Sequence, residues 1–156
     1  MIATNHALTG AVIALSVKQP ILVIALAFAA HFAMDAIPHF WFKEKDVFKR
    51  NKMKKFQAYL AIDLVLTAIF LITIPLLIAS DVSAWVVFFG MFACISPDLA
   101  WGWRFFNELR EKTERKKNRL SELHAKIQWM EVPAGGLVEA VWFFVFLGLL
   151  IFKDWS

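Results

Sequence analysis

Two histidines and an aspartate recur at four-residue spacing inside a long apolar stretch. In "HFAMDAIPH", residues 31–39, the side chains of His31, Asp35 and His39 fall about one turn apart on one face of a helix. Imidazole nitrogens beside carboxylate oxygens form the ligand set of Zn²⁺, Mn²⁺ or Fe²⁺. The pattern therefore predicts a metal site. A neutral hydrogen-bonded pair between helices and a proton relay are the alternatives that the residues leave open.

The residues around this segment have the composition of a membrane protein. The chain is 156 residues long and 60% hydrophobic, well above the roughly 45–50% of soluble domains. No linker or repeat divides it, so residues 1–156 are predicted to form a single integral membrane domain. The chain has one cysteine, Cys94, which excludes an intramolecular disulfide and every multi-cysteine metal motif.

The apolar runs predict an all-α fold, a polytopic transmembrane helix bundle of about five spans. Their bounds are about 4–17, 20–40, 56–79, 84–103 and 131–152. A helix needs about 20 residues to cross a hydrocarbon core of roughly 30 Å, so the first run is marginal and the other four are long enough. A charged helix, residues 104–128, is predicted between the fourth and fifth spans.

Positive charge predicts how these spans are oriented. Residues 43–55 hold seven Lys and Arg and residues 104–126 hold eight, whereas Lys18 and Lys153 lie at the opposite ends of spans. By the positive-inside rule, the basic segments 43–55 and 104–128 and the N-terminus are cytoplasmic, and the C-terminus is outside the inner membrane. The predicted partners of these segments are the lipid bilayer and its anionic headgroups rather than nucleic acid.

Acidic residues inside the predicted spans collect at one depth. Asp35, Asp63, Asp98 and Glu139 each lie near the cytoplasmic end of their own span, although neighbouring spans run in opposite directions. No Lys or Arg lies within a span to pair with them, and an unpaired carboxylate there costs roughly 2.5–3.5 kcal/mol. Protonation or a bound cation would remove that cost, and the nearby histidines favour the cation.

Two further segments could take part in the chemistry. In "TNHALTG", residues 4–10, Thr4 or Asn5 is predicted to cap a helix that carries His6 in its first turn. In "SPDLAW", residues 96–101, Pro97 frees a carbonyl one turn earlier, immediately before Asp98. Irregular backbone beside a carboxylate at membrane depth is typical of a residue that lines a cavity.

These three segments resemble a family of small membrane-bound metal-dependent hydrolases, the YdjM-like, LexA-regulated inner-membrane proteins. That family carries an N-terminal His followed by Gly, a Pro-Asp-Asp-type segment at a helix end, and a His-x3-Asp segment followed by Pro. The resemblance implies that four residues are metal ligands: His6, His31, Asp35 and Asp98. After Pro-Asp, this chain has Leu99, Ala100 and Trp101 in place of the family's second Asp and His.

The sequence thus predicts a membrane-embedded hydrolase that acts on an ester or phosphoester of an amphiphilic, lipid-like substrate from the cytoplasmic side. Its cofactor is a divalent metal ion, with zinc preferred over manganese or iron. The predicted metal ligands are His6, His31, Asp35, Asp98 and His39. Glu139 or Asp63 is predicted to act as the catalytic base.

Two other functions fit the same residues. A cation or proton-coupled transporter subunit would use the intramembrane acidic cluster as its ion path. A non-catalytic membrane adaptor would bind a partner or anionic lipid through the basic helix at residues 104–128.

Overall fold

The computed structural model describes residues 1–40, 50–78, 80–111, 119, 122, 126–127, 130 and 132–155. This part of the chain forms five α-helices: α1 (Ala3–Val17), α2 (Pro20–Asp35), α3 (Arg50–Leu77), α4 (Ala84–Glu111) and α5 (Gly135–Phe152). Each helix overlaps one of the five apolar runs. The prediction of an all-α fold is therefore confirmed.

The charged segments are described only in part. α4 continues past residue 103, the predicted end of the fourth span, as far as Glu111. Arg119, Glu122, Lys126 and Ile127 are also helical. Residues 41–49 and most of 112–131 lie outside the described residues, so what the sequence predicts for the two basic segments stays a prediction.

α1 is the central helix of the fold. It contacts each of the other four helices, and ten of its 15 residues are buried. From Leu8 onward, α1 packs Leu8 and Leu15 in an apolar cluster with Val23 of α2 and Met91 of α4. Its first turns instead bury polar side chains, including Asn5 and His6. Buried polar groups require hydrogen-bond partners, so the surrounding helices must supply them.

Two glycines allow α1 and α4 to approach closely. A Cβ atom added to Gly10 would lie 2.5 Å from the Gly90 oxygen and 2.7 Å from the Met91 Cα atom. Both neighbours are backbone atoms, which cannot move aside as a flexible side chain can. The α1–α4 contact therefore depends on the absence of a side chain at residue 10.

We expect Gly10→Ala to destabilise the protein by about 1–3 kcal/mol, the usual cost of overpacking a close contact. The matched control is Gly148→Ala in α5, because a Cβ atom at Gly148 meets no atom within 4 Å. Thermal unfolding of the two purified variants measures the difference. A melting temperature of Gly10→Ala equal to that of Gly148→Ala would contradict the proposed close contact.

The outward faces of the helices are apolar. Large exposed side chains occur on four helices and include Ile21, Leu22, Ile62, Val65, Leu76, Trp85, Phe89, Leu137, Phe144 and Phe152. Within the described residues, two helical segments are long and apolar enough to cross a membrane: Lys54–Leu77, of 24 residues, and Gly135–Phe152, of 18 residues.

A tight turn joins α1 to α2 and makes the two helices antiparallel. Lys18 ends α1 with a positive φ of 64°, and the Gln19 side chain accepts a hydrogen bond from the Leu22 amide at the start of α2. Lys18 Nζ also lies 2.8 Å from Asp81 Oδ2 in the turn before α4. This exposed pair, chiefly through its hydrogen bond, holds the pKa of Asp81 below its usual range. Because the turn reverses the chain, the start of α1 lies beside the end of α2.

Candidate metal centre

Three helices bring His6, His31, Asp35 and Asp98 together. His6 lies in the first turn of α1, His31 and Asp35 lie in the last turns of α2, and Asp98 lies within α4. The antiparallel arrangement of α1 and α2 places the first two segments side by side. All four residues therefore meet at the end of the fold opposite the Lys18 turn.

The Nε2 atom of each histidine faces both carboxylates. His6 Nε2 lies 3.2 Å from Asp35 Oδ1 and 3.8 Å from Asp98 Oδ2. His31 Nε2 lies 3.3 Å from Asp35 Oδ2 and 3.7 Å from Asp98 Oδ1. The two imidazole rings stack with their centroids 4.1 Å apart and an interplanar angle of 28°. Histidine and aspartate thus alternate in a closed ring of four contacts, which we call the His–Asp ring.

The spacing and chemistry of the His–Asp ring fit a divalent metal ion. Ligand atoms of His6, His31 and Asp98 all lie within 4.8 Å of one another. Imidazole nitrogens and carboxylate oxygens suit zinc, manganese or iron, and the buried Met1 amino group adds a positive charge beside Asp35.

Backbone hydrogen bonding orients His31 as a ligand. His31 Nδ1 lies 2.8 Å from the Cys94 carbonyl oxygen, which can only accept, so this nitrogen donates. A neutral His31 then carries its lone pair on Nε2, the atom that faces the carboxylates. A metal-bound histidine usually donates its second ring N–H to an acceptor such as a backbone carbonyl.

Pro97 shapes the backbone of α4 next to this contact. It lies inside α4 and has no N–H to donate to the Ala93 carbonyl four residues earlier. The Ser96 hydroxyl donates to that carbonyl instead, at 2.9 Å. The Ala93 carbonyl that the proline leaves without its backbone donor is thereby satisfied. Asp98 is the next residue after Pro97.

Three members of the His–Asp ring are enclosed and one is accessible. The side chains of His6, His31 and Asp35 have no exposed surface, whereas that of Asp98 is 25% exposed. The amino group of Met1 donates to Asp35 Oδ1. His6 Nδ1 is buried and has no hydrogen-bond partner among the described residues.

Asp63 of α3 binds the N-terminus of α1. Its carboxylate accepts hydrogen bonds from the Ala3 amide at 2.9 Å, the Thr4 amide at 3.0 Å and the Thr4 hydroxyl at 2.6 Å. The Thr4 hydroxyl also lies 3.1 Å from the Thr67 hydroxyl. A helix N-terminus has unpaired amides and a positive dipole, so an ionised carboxylate is well placed there.

Glu139 of α5 binds the same end of α1 from another side. Its carboxylate accepts hydrogen bonds from the Ile2 amide at 3.2 Å and the Tyr59 hydroxyl at 3.1 Å. Its backbone carbonyl accepts a further bond from the Asn5 side chain at 3.1 Å. Asp63 and Glu139 therefore fix the first turn of α1, which carries His6.

The prediction that Thr4 or Asn5 caps α1 is wrong. The N-cap residue is Ile2, whose apolar side chain cannot accept a hydrogen bond from the helix amides. The first amides of α1 are satisfied instead by Asp63 and Glu139, which belong to other helices. Capping across helices is a tertiary contact, which a local motif does not reveal.

His39 lies outside the group formed by His6, His31 and Asp98. Its side chain is buried, its Nδ1 atom donates to the Ile37 carbonyl at 2.8 Å, and its Nε2 atom has no hydrogen-bond partner among the described residues. Its backbone pairs with Met130 and Val132 in the segment before α5. The role of His39 as a metal ligand stays a prediction.

Sequence reasoning missed two contributors to this end of the fold. Tyr59, which donates to Glu139, lies near the start of the apolar part of α3 and has no recognisable motif around it. The Cys94 carbonyl, which orients His31, is a backbone atom and leaves no trace in the residue pattern. The only available signal for the second was Pro97, which marks irregular backbone nearby.

Comparison of the chain with protein-family models, with curated proteins and with solved structures finds no match. The resemblance to the membrane-bound metal-dependent hydrolases accordingly rests on the three motifs that contain His6, His31, Asp35 and Asp98.

Proposed function

We propose that this chain is a membrane-embedded, metal-dependent hydrolase that cleaves an ester or phosphoester of an amphiphilic substrate from the cytoplasmic side of the inner membrane. The His–Asp ring carries the proposal, because its donor atoms and their spacing fit a divalent metal ion. The motifs shared with the membrane-bound metal-dependent hydrolases support the same assignment.

The distribution of polar and apolar side chains supports a polytopic bundle. Buried polar residues include Asn5, His6, His31, Asp35, Asp63, Thr67 and Glu139. The exposed faces of the helices carry leucine, isoleucine, valine and phenylalanine instead. Soluble domains bury few such polar groups and cover less of their surface with large apolar side chains, whereas hydrocarbon solvent favours this arrangement. Because other helices surround α1, its 15 residues need not reach both membrane surfaces.

Each residue of the His–Asp ring has a definite role in this proposal. His6 and His31 present Nε2 atoms as neutral ligands, and Asp35 and Asp98 supply carboxylate oxygens, with Asp35 also paired to the Met1 amino group. When bound, a divalent metal ion supplies a Lewis acid for the phosphoryl or carbonyl oxygen and lowers the pKa of water to near neutrality. The buried side chains exclude bulk solvent from all of the ring except its Asp98 edge.

Glu139 and Asp63 are the candidates for the catalytic base. Both are buried carboxylates that bind the first turn of α1, which also carries His6. Glu139 is favoured, because its oxygens accept hydrogen bonds of 3.2 and 3.1 Å, whereas Asp63 is held by three donors, one at 2.6 Å. A carboxylate that is held less firmly is freer to accept a proton from water.

The Glu139→Gln variant tests this assignment and the hydrolase together. Glutamine keeps an acceptor for the Ile2 amide and a polar partner for the Tyr59 hydroxyl, so the fold and the metal content should persist. We expect kcat to fall by about 100-fold or more, the usual contribution of a general base. Turnover of bis(p-nitrophenyl) phosphate and of a short-chain phospholipid in mixed micelles, by zinc-loaded protein, measures it.

Three outcomes are informative. Unchanged turnover in Glu139→Gln would leave Glu139 as a structural partner of α1 only. No turnover by the zinc-loaded wild-type protein, on either substrate or on carboxylic esters, would contradict the hydrolase. Zinc or proton flux through liposomes that contain the inactive protein would then favour the transporter.

A further inference from the structure

The accessible edge of the His–Asp ring lies on α4. Of the four residues in the ring, Asp98 alone has an exposed side chain, and 25% of its surface is accessible. His6, His31 and Asp35 are enclosed by α1, α2 and α4. A molecule that approaches the ring from outside must therefore cross the face of α4 that carries Asp98.

Gly102 lies on that face, one turn beyond Asp98. Residues four apart in a helix lie on the same side, and a helical side chain leans back over the turn that precedes it. A side chain at residue 102 would therefore extend toward the exposed edge of Asp98. A Cβ atom added to Gly102 meets no atom of the described residues within 4 Å.

Leu99 and Trp103 form an apolar border beside this opening. They follow Asp98 and Gly102 by one residue each, are themselves four residues apart, and are 46% and 74% exposed. A molecule with a polar group at Asp98 and an apolar chain along Leu99 and Trp103 would match the polarity of both surfaces. An amphiphile has this distribution of polarity.

We infer that an amphiphilic phosphoester enters the metal centre over Gly102, with its apolar chain against Leu99 and Trp103, and that the size of residue 102 determines what can enter. This inference rests on the proposed hydrolase and assigns the route of its substrate. Glycine at position 102 keeps the route open, because any larger residue would project into it.

The experiment compares Gly102→Ala and Gly102→Leu with Gly148→Leu in the full-length protein. Gly148 is a matched control, since it is also a helical glycine whose added Cβ atom meets nothing within 4 Å, and it lies in α5 away from the ring. Each protein is loaded with zinc in detergent. The measurements are zinc content, the rate at which EDTA removes zinc, and turnover of a short-chain phospholipid in mixed micelles.

We expect Gly102→Leu to keep the wild-type zinc content, to lose zinc to EDTA more slowly, and to show a kcat/KM for phospholipid that is lower by about tenfold or more, the scale on which misplaced substrates react more slowly. Gly102→Ala should give an intermediate loss. Gly148→Leu should match the wild type in all three measurements.

The outcomes separate this inference from the proposed function. Wild-type extraction and turnover in zinc-loaded Gly102→Leu would overturn the entry route and leave the hydrolase standing. Loss of zinc from Gly102→Leu would also overturn it, because residue 102 would then act on the structure of the ring. If the wild type binds zinc without turnover, the proposed hydrolase is contradicted. Slower removal of zinc by EDTA from Gly102→Leu would then still support entry over Gly102, and an unchanged rate would overturn it. If the wild type binds no zinc, both proposals fail.

Discussion

The Asp98→Asn variant is expected to bind zinc about 100-fold more weakly or worse, and to lose hydrolysis with it. Asparagine has nearly the same shape but no charge, and only one of its two terminal atoms is an oxygen. Both Asp98 oxygens face histidine Nε2 atoms, at 3.8 and 3.7 Å, so the amide nitrogen would oppose one of them. Loss of a residue that only supports a ligand already costs about 10–100-fold in metal affinity, so loss of a ligand should cost at least as much.

Competition with a chelating dye of known affinity measures this change. The matched control is Asp81→Asn, because Asp81 is an exposed aspartate at the opposite end of the fold and pairs with Lys18. Its variant should bind zinc as the wild type does. Equal zinc affinity in Asp98→Asn and Asp81→Asn would show that the Asp98 carboxylate is not a ligand.

The Asp63→Ala variant is expected to lose about 3 kcal/mol or more of its free energy of unfolding, since hydrogen bonds to a charged group contribute about 1.5–3 kcal/mol each. Alanine removes the acceptor of three hydrogen bonds from Ala3 and Thr4, and it leaves the two Thr4 donors in a buried position and the Ala3 amide half-buried. Equilibrium unfolding in mixed micelles with increasing SDS, followed by tryptophan fluorescence, measures the loss.

A graded series identifies the cause of that loss. Thr67→Val removes one neutral hydrogen bond to Thr4 and should cost about 1 kcal/mol. Asp63→Asn should lie between the two, because its amide keeps one acceptor for the α1 amides. Stability of Asp63→Ala equal to that of the wild type would contradict the binding of α1 by Asp63 and would return this residue to consideration as the base.

The helices and their convergence could be predicted from the sequence, because both depend on patterns along the chain. Apolar runs determine the helices, and the run at residues 20–40 loses only its last five residues, since α2 ends at Asp35 before Pro38. Reversal of the chain between the first two spans predicts that His6 and Asp35 lie at the same end of the bundle. In the structure His6 Nε2 lies 3.2 Å from Asp35 Oδ1.

The partners of the site residues could not be predicted, because they depend on how the helices pack. Asp35 has histidines at four-residue spacing on both sides, and Asp63 is a lone aspartate in an apolar run, but neither pattern shows which atoms the carboxylate contacts. In the structure Asp35 contacts two histidines, whereas Asp63 binds the amides of α1. His39 illustrates the same limit, since its spacing from Asp35 matches that of His31 but the chain leaves the helix before reaching it.

Elemental analysis tests most directly whether the His–Asp ring binds a divalent metal ion. Wild-type protein purified in detergent without chelator is compared with the Asp35→Ala, Asp98→Ala double variant. We expect stoichiometric zinc, manganese or iron in the wild type and none in the double variant. A wild-type protein that contains no metal, and takes up none when zinc, manganese or iron is added, would show that the ring is not a metal site.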